Sequence, residues 1–351
     1  MILLAAGGTG GHIYPAVAVA GVLRERGHEV ALAGQRGGME ERIAAGHGLE
    51  FHGLPAGKWD RGSIDPRWIL GALTGLLQAR ALLRRLRPRA VVGFGGFAAF
   101  PAVAAAQMLG IATALHEQNA RPGRVNLLVA PRARVIATAE PSGARAMSRR
   151  APRARVEVVG MPIVERRAER YASRRRFELD PYRPTLLIFG GSLGSPVLNE
   201  LAPRCTAALG AQWQVLHGVG RRFADELLPR LDRPGHRALP YIDDMPAAYS
   251  AADLALTRAG AMTIAELAYH CVPSLLVPWK DAADAHQAGN ARALERAGAA
   301  VVLEEHELHR LPEVLSSLAA PERRARLAGR IGELARPGAA AALATLVEEL
   351  L

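Results

Sequence analysis

Short apolar runs alternate along the chain with longer stretches rich in alanine and leucine. The short runs predict buried strands and the longer stretches predict helices. Strands that alternate with helices form βαβ units around a parallel sheet. The predicted strands are "MILLAA", "EVALAG", "RAVVGF", "ATALHE", "ARVIAT" and "RVEVVG" in the first half, and "TLLIFG", "WQVLHG", "HRALPY", "LALTR", "SLLVPW" and "AAVVLEE" in the second. The pattern therefore predicts an α/β fold with parallel sheets.

The first predicted strand and its glycine loop are repeated in the second half of the chain. "ILLAAGGTGG" near the start matches "LLIFGGSLGS", a strand followed by two glycines, a hydroxyl residue, a further glycine and a helix. This repeat predicts two Rossmann-like domains with their sheets facing a central cleft. We place them at residues 1–160 and 161–337, with the boundary near Gly160. The last helix, residues 338–351, is expected to pack back on the first domain.

Length and charge fit two domains that bind an anion. A chain of 351 residues is long for one core. The net charge of +11 favours a nucleotide, a nucleic acid or an acidic membrane as partner. Cys205 and Cys271 lack CxxC spacing and are expected to be core residues in a reduced, cytoplasmic compartment. No segment is expected to cross a bilayer, and none reads as a signal peptide.

The first glycine loop, "GGTGG", does not match the two common nucleotide-binding fingerprints. The dinucleotide version needs a third glycine where Ile13 stands, and an acidic residue where Gln35 and Arg36 follow the second strand. No Walker A motif is present. A doubly wound domain needs small residues at this turn in any case, so a structural role explains these glycines as well as anion binding does. What remains is a helix N-terminus in each domain that can bind an anion, with Ser192 able to donate to phosphate.

A third strand-to-helix turn, "LTRAGAMTIAE" at residues 256–266, has small residues that let a diphosphate approach the backbone. Glu266 has two interpretations of equal weight at this stage. With Thr263 it forms the spacing of a capping box, and it is equally suited to accept both hydroxyls of a ribose. Downstream, "DAADAHQAGNA" brings His286 and Gln287 into a polar loop that suits sugar hydroxyls, although a solvated loop explains it as well.

Five motifs in the same order resemble the MurG family, the bacterial glycosyltransferases that add N-acetylglucosamine to lipid I to make lipid II. They are "GGTGGHIYPAVAVA", "HEQNARPG", "GGSLGSPVLN", "IDDMPAAYSAADL" and "TRAGAMTIAEL", and they span almost the whole chain. The resemblance implies the glycosyltransferase-B architecture, with an acceptor- and membrane-side N-terminal domain and a UDP-N-acetylglucosamine-binding C-terminal domain. It implies UDP-N-acetylglucosamine and lipid I as substrates and no cofactor.

The resemblance also implies a donor site. Glu266 would hold the uridine ribose, Gln287 the donor sugar, Ser192 the diphosphate and Ile242 the uracil. The remaining implied donor contacts are Thr9, Gly10, Gly11, Asn119, Ala261, Met262, Thr263, Ile264 and Ala265. One departure concerns an arginine. Where the family usually has Gly-Asn-Pro-Val-Arg, this chain has Val164 at the position of the arginine. Either Arg166 or Arg258 takes that role, or the contact is absent.

Inverting transfer needs a base for the acceptor hydroxyl. His12 is the first candidate because it titrates near neutral pH and lies at the loop end of the first domain, although a lone histidine near a helix start is more often structural. Glu117 and His116 are the alternatives, since "HEQN" ends a predicted strand. No Asp-x-Asp pair is evident, so helix N-termini and an arginine are expected to neutralise the departing UDP without a metal.

Residues 65–88 predict a helix with two distinct faces. The core face carries Trp68, Ala72, Ala79, Leu82 and Leu86. A second face suits an anionic bilayer surface, because apolar residues there are followed by a basic row, and a lipid-linked acceptor favours this over a wide buried face. That face consists of Ile69, Leu73, Leu76, Leu77, Arg80, Arg84 and Arg87. We therefore expect peripheral contact with the cytoplasmic face of the membrane.

Two other classes of function compete with this hypothesis. Another glycosyltransferase-B enzyme with a lipid or small aglycone acceptor, or a UDP-sugar epimerase, would share the donor motifs and differ in acceptor features such as "HEQN". An arginine-rich nucleic-acid-binding protein predicts aromatic residues between its basic clusters. The clusters at residues 149–155 and 174–176 lack them. No nucleic-acid partner is expected.

Overall fold

The computed structural model describes residues 1–56, 66–280 and 286–351 of the chain, and the side chains of all of these except 66–70, 72 and 286. The described chain divides into two compact units. Unit 1 contains Met1–Val164 and Gly338–Leu351, and unit 2 contains Glu165–Pro337. The division falls after Val164, slightly beyond Gly160.

Among the described residues, unit 1 contains a seven-stranded parallel sheet with the order β3-β2-β1-β4-β5-β6-β7. Its strands are β1 (Ile2–Ala5), β2 (Val30–Gln35), β3 (Glu50–Leu54), β4 (Ala90–Gly93), β5 (Ala112–Glu117), β6 (Val135–Thr138) and β7 (Arg155–Val158). The helices between them are α1 (Gly10–Glu25), α2 (Met39–Gly46), α3 (Pro66–Leu86), α4 (Phe100–Met108), α5 (Arg124–Val129) and α6 (Pro141–Arg150).

In the described part of unit 2, six parallel strands form a second sheet with the order β10-β9-β8-β11-β12-β13. The strands are β8 (Thr185–Phe189), β9 (Gln214–Gly218), β10 (His236–Leu239), β11 (Leu254–Thr257), β12 (Ser274–Leu276) and β13 (Val301–Val302). The helices are α7 (Arg170–Arg176), α8 (Pro196–Leu209), α9 (Ala224–Leu231), α10 (Met245–Ala251), α11 (Ala261–His270), α12 (His286–Arg296), α13 (Leu311–Leu318) and α14 (Pro321–Gly332).

The two glycine-loop strands, β1 and β8, lie inside their sheets with a strand on either side. Alternate residues of a strand face opposite sides of its sheet. In β1, Ile2 and Leu4 join one core cluster while Leu3 and Ala5 join another, and each cluster is closed by helices. Burial on both faces explains why these strands are continuous apolar runs. The predicted α/β class with parallel sheets is confirmed.

Strand β3 is the element that the apolar pattern missed. Its sequence, "EFHGL", begins with an exposed glutamate and has only Leu54 fully buried. It lies at the edge of the sheet and pairs only with β2. An edge strand with one covered face needs few apolar residues, so its pattern is weak.

The last helix, α15 (Ala339–Glu348), belongs to unit 1. Leu343 and Val347 are buried in a unit 1 core cluster. At its outer side Glu348 forms ion pairs with Arg26 at 2.6 Å and with His28 at 2.9 Å. The chain therefore returns to unit 1 after completing unit 2. Within the described residues, no helix is long and apolar enough to cross a membrane.

Candidate active site

The first glycine loop joins β1 to α1 at the carboxyl edge of the unit 1 sheet. Gly8 adopts φ +89°, and a Cβ on Gly7 would lie 2.2 Å from the Glu40 carboxylate, so both positions require glycine. The backbone N–H of Gly8 donates to Oε1 of Glu40 at 2.8 Å. Glu40 is buried. This carboxylate fixes the loop. Because Glu40 is distant from the loop in sequence, the sequence pattern did not indicate that role.

His12 lies in the first turn of α1, directly after the loop. Its Nδ1 is 3.0 Å from the hydroxyl oxygen of Thr9, the N-cap residue. The opposite edge of the imidazole lies against Gly95, where a Cβ would come within 3.0 Å of Cδ2 and 3.3 Å of Nε2. Gly95 and Gly96 both adopt positive φ. The turn at Gly95 and Gly96, which follows β4, therefore makes room for a half-buried imidazole at the mouth of the β1–α1 loop.

Glu117 ends β5 and is saturated by hydrogen bonds. Its Oε1 accepts from the backbone N–H of Asn119 at 2.9 Å and from the side-chain amide of Asn119 at 3.2 Å. Its Oε2 accepts from the Gly123 N–H and from the Asn126 amide, both at 2.9 Å. Burial raises the pKa of Glu117, and these hydrogen bonds oppose the shift. Glu117 therefore holds the loop that carries Asn119 in place.

His116 is buried one residue earlier on β5. Its Nε2 donates to the carbonyl of Gly160 at 3.2 Å, and burial lowers its pKa to about 4. The imidazole is therefore neutral near pH 7 and ties β5 to the segment that leaves unit 1. Of the three candidate bases, His12 alone combines partial exposure with a place at the mouth of the glycine loop.

The second copy of the glycine loop precedes α8 in unit 2. Gly194 donates its N–H to the carbonyl of Gly191 at 3.0 Å, which closes a turn around the partly exposed Ser192. Ser195 caps α8 by accepting from the N–H of Leu198 at 3.4 Å. Ser192 therefore lies in the turn at the N-terminus of a helix, where an anion is favoured.

Glu266 does not cap α11. The N-cap of this helix is Gly260, and Glu266 lies in the second turn, so the capping-box interpretation is wrong. Its Oε2 accepts instead from the hydroxyl of Tyr249 at 2.8 Å. Burial raises the pKa of Glu266 to about 7, and the Tyr249 hydrogen bond opposes the shift. Tyr249 is a buried residue on α10 that the sequence did not single out.

Other expected donor contacts lie on the same edge of unit 2. Ile242 is buried, and its side chain would meet a Cβ on Gly218 at 3.2 Å. The side-chain oxygen of Gln287 accepts from the backbone N–H of Trp279 at 3.0 Å and of Ala259 at 3.3 Å. Gln287 therefore anchors the turn before α11. The turn and first residues of α11 run from Ala261 to Ala265, all partly exposed.

The two candidate arginines occupy different environments. Arg258 is buried and bridges the α8 cap to the end of β12: it donates to Oγ of Ser195 at 3.2 Å, to the Val277 carbonyl at 3.1 Å and to Glu305 at 2.8 Å. Arg166 is about half exposed and pairs with Asp244, two residues after Ile242. Arg258 is thus a structural tie, and Arg166 is the more accessible cation.

On α3 the predicted membrane face is only partly exposed. Leu73 and Leu77 are 54% and 68% exposed. Leu76, by contrast, packs against a core cluster, so its assignment to the membrane face is wrong: α4 packs beside α3 and widens the buried stripe. The basic row consists of the partly buried Arg80 and the exposed Arg84 and Arg87. The side chain of Ile69 lies outside the described residues.

Within the described residues, no three histidine, cysteine, aspartate or glutamate side chains come close enough to hold a metal ion. Asp281 lies outside the described part of the chain. Loop N–H groups, hydroxyls and arginines at this edge can stabilise negative charge, as at other helix N-termini that bind phosphate.

Two Rossmann-like units, each with a glycine loop that opens a helix at the carboxyl edge of its sheet, form the architecture of the glycosyltransferase-B class. The glycosyltransferase family 28 N-terminal domain matches residues 2–138, and the C-terminal domain of the same family matches residues 185–335. The chain belongs to glycosyltransferase family 28 and is a hexosyltransferase.

Relatives narrow the family further. Two proteins named UDP-N-acetylglucosamine–N-acetylmuramyl-(pentapeptide) pyrophosphoryl-undecaprenol N-acetylglucosamine transferase align along the full chain. That of Thermus thermophilus is 45% identical over 100% of both chains, and that of Deinococcus radiodurans is 43% identical over 99% of this chain and 95% of its own. The crystal structure of Acinetobacter baumannii MurG is 31% identical, with a TM-score of 0.73 over 99% of both chains. The resemblance to the MurG family is confirmed.

Proposed function

We propose that the chain transfers N-acetylglucosamine from UDP-N-acetylglucosamine to the 4-hydroxyl of the muramyl sugar of lipid I, giving lipid II for peptidoglycan synthesis. The observation that carries the proposal is the full-length match, at 43% and 45% identity, to two proteins named for this transfer. Those matches cover both glycine loops and the turn before α11.

The donor is assigned chiefly to the loops of unit 2. Glu266 accepts both ribose hydroxyls: it lies in the second turn of α11, where it has no capping role, and the Tyr249 hydroxyl orients its carboxylate. Ser192 and the N–H groups of its loop bind the diphosphate, and Ile242 packs on the uracil. Arg166 is the better candidate than Arg258 for a further phosphate contact, since its side chain is about half exposed. Gln287, in the first turn of α12, contacts the donor sugar.

Within unit 1, substrate contact is assigned to Thr9, Gly10, Gly11 and Asn119, and proton transfer to His12. In the tautomer whose Nδ1–H donates to Thr9, Nε2 carries the lone pair that accepts the proton. His12 removes the proton of the acceptor hydroxyl as its oxygen attacks the anomeric carbon. The bond from that carbon to the UDP oxygen breaks, and the configuration inverts. Glu117 and His116 act as positioning residues for the same edge.

The departing UDP gains negative charge as this bond breaks. The N-terminus of α8, with its loop N–H groups and the Ser192 hydroxyl, stabilises that charge without reorganisation, as preorganised donors do elsewhere. The proposed reaction therefore needs no metal ion and no cofactor.

A lipid-linked acceptor requires contact with a membrane surface. Leu73 and Leu77 are exposed apolar residues of α3, Arg80 and Arg84 follow them along the helix, and Arg87 comes directly after its last residue. Exposed leucines beside a basic row favour an anionic bilayer. We assign this face to peripheral contact with the cytoplasmic face of the cell membrane.

The test is incubation of the full chain with UDP-N-acetylglucosamine and a soluble lipid I analogue. We expect release of UDP in step with a disaccharide product, detected by mass spectrometry. The matched controls are the variant His12→Ala and an analogue whose muramyl 4-hydroxyl is methylated. Epimerised UDP-sugar without transfer, or transfer only to a different acceptor, would reject the proposal.

A further inference from the structure

A cavity of about 370 Å³ lies in unit 2 away from the glycine loops. Its wall includes Asp253, which precedes β11, and Pro273, which precedes β12. These residues lie at the amino ends of parallel strands, so the cavity opens at the edge of the sheet opposite to Ser192 and to the start of α11. One wall residue, Tyr249, donates its hydroxyl to Glu266; the arginines of the wall have no role in the proposed transfer.

Three arginines from two segments of the chain line this cavity: Arg167 and Arg170, just before and at the start of α7, and Arg324 on α14. Arg167 donates through Nη2 to the carbonyl of Tyr269, and Arg324 donates through Nη1 to the carbonyls that end α13. These contacts are with neutral carbonyls and hold the guanidinium groups in place without neutralising them, although Asp253 and Glu322 lie close enough to Arg324 to offset part of its charge. A guanidinium carries five N–H donors, and a planar fork of this kind matches phosphate oxygens.

The acidic complement of the cavity is small. Asp253 pairs with Arg170 at 2.8 Å and also with the buried Arg174 at 2.5 Å, so its single charge is shared between two arginines. His270, also in the wall, remains neutral at pH 7: burial lowers its pKa to about 4, and Arg167 and Arg166 push it in the same direction. The lining therefore has an excess of positive charge.

From the cavity, its three arginines and their unbalanced charge, we infer that this is a second binding site, for a small phosphate-bearing anion. Its volume is in the range of ordinary ligand pockets, roughly 300–1,000 Å³. Forked guanidinium groups and a shortage of acidic partners favour a polyvalent anion over a neutral ligand. The inference does not rest on the transfer reaction.

Cys271 provides a reporter for this site. Its thiol is exposed, lines the cavity and lies 3.9 Å from Nη2 of Arg167. The other thiol, Cys205, is buried, and burial raises its pKa to about 12. An uncharged alkylating reagent such as iodoacetamide therefore reacts at Cys271, and an occupant of the cavity would shield it.

The experiment measures the alkylation rate of Cys271 in the full chain by peptide mass spectrometry, with and without pyrophosphate. Ionic strength is held constant. At a pyrophosphate concentration about ten times its dissociation constant, alkylation should slow by roughly tenfold, because mass action leaves about one site in eleven empty. An unchanged rate up to high pyrophosphate would overturn the inference.

Two variants and a matched control test where the anion binds. Arg170→Glu reverses one charge on a half-exposed side chain, and Arg167→Gln removes a second; both should abolish the protection. Arg330→Gln on α14, an exposed arginine that pairs with Glu333, should retain it. Equal protection in all three variants, with unchanged melting temperatures, would show that pyrophosphate acts elsewhere.

A soluble metabolite and a lipid headgroup offer the same phosphate chemistry. Vesicles that contain phosphatidic acid, used in place of pyrophosphate, distinguish them: protection by vesicles alone assigns the site to a headgroup, and protection by pyrophosphate assigns it to a soluble anion. Because the readout is a thiol and not the transfer of a sugar, failure of the proposed function would leave this result intact.

Discussion

The glycine loops of β1 and β8 share a sequence pattern but differ in what surrounds them. The β1 loop is fixed by Glu40, and its His12 lies against Gly95 in the turn that follows β4. The β8 loop is fixed by Ser195, which caps α8 and is tied to β12 by Arg258. This loop presents the hydroxyl of Ser192. A repeated fold thus supplies two helix N-termini, and in the proposed mechanism the side chains added to each make one a proton acceptor and the other an anion site.

The largest expected effect concerns the first loop. His12→Ala should lower kcat by ~10²–10⁴, the usual range for loss of a general base, while UDP affinity measured by titration changes little. The matched substitution in the second loop, Ser192→Ala, should instead weaken UDP binding. A near-normal kcat in His12→Ala would reject the division of roles between the loops.

Membrane contact should distinguish unit 1 from unit 2. Replacing Arg80, Arg84 and Arg87 together by glutamine should weaken binding to anionic vesicles by about 3 kcal/mol, or roughly 150-fold, at about 1 kcal/mol per cation. Activity on a soluble acceptor should survive.

The control for this triple variant replaces three exposed arginines of unit 2, Arg222, Arg292 and Arg330, by glutamine. Both variants change net charge equally. Equal loss of vesicle binding in the two would mean that overall charge, and not the α3 face, attracts the protein.

Donor recognition in unit 2 should depend on the Glu266 carboxylate. Glu266→Ala should weaken UDP binding by roughly 1.5–3 kcal/mol, about 10- to 150-fold, as expected for a hydrogen-bonding charged group. Glu313→Ala, an exposed carboxylate on α13, is the control. Unchanged affinity in the Glu266 variant would exclude a ribose contact.

The same carboxylate predicts a pH dependence of binding. Burial raises the pKa of Glu266 to about 7, and in the proposed function the ionised form is the one that accepts both ribose hydroxyls. UDP affinity should therefore be complete above pH 7 and fall below it, by up to tenfold per pH unit. Titration calorimetry of Glu266→Gln separates this effect from protonation of UDP itself; an identical pH profile in the variant would contradict it.

Acid stability should also differ between the units. In unit 2, Nδ1 of His217 faces Nε2 of His236 at 3.3 Å, and burial lowers the pKa values to about 3 and about 4. The folded state binds fewer protons than the unfolded state below pH 6.5, so stability is complete above that pH and declines toward pH 4, by up to about 1.4 kcal/mol per pH unit and buried histidine.

Unit 1 carries one histidine with a comparable shift, His116. Proteolysis during acid unfolding should therefore cut unit 2 first as the pH falls from 6.5 to 5. His217→Gln should flatten the pH dependence of its unfolding free energy even if it lowers stability at pH 7. Simultaneous opening of both units in the parent and the variant would contradict the assignment.

The smallest expected effect concerns Tyr249. Tyr249→Phe removes one hydrogen bond to Glu266, so UDP affinity should fall by about 1 kcal/mol, or roughly fivefold, with kcat nearly unchanged. The pH midpoint of UDP binding should also rise, because this hydrogen bond opposes the upward pKa shift of Glu266. A purely structural tyrosine would lower the melting temperature without moving that midpoint.

Local pattern determined much of this protein. The apolar runs of β1 and β8, buried on both faces, and the glycines that follow them depend on neighbouring residues, so they could be read directly and predicted both parallel sheets. The sequence pattern gave no correct prediction where an element is covered unevenly. The edge strand β3 has one covered face, and Leu76 is partly buried against a core cluster that α4 widens.

Only the tertiary structure decided which functional groups meet. Glu40 is distant in sequence from Gly8, Tyr249 comes from a different helix than Glu266, and α15 returns to unit 1 from the far end of the chain. Spacing alone left Glu266 balanced between a helix cap and a ribose ligand. The capping interpretation depended on where α11 begins: its N-cap is Gly260, which places Glu266 in the second turn, and the spacing of Thr263 and Glu266 alone does not specify that start.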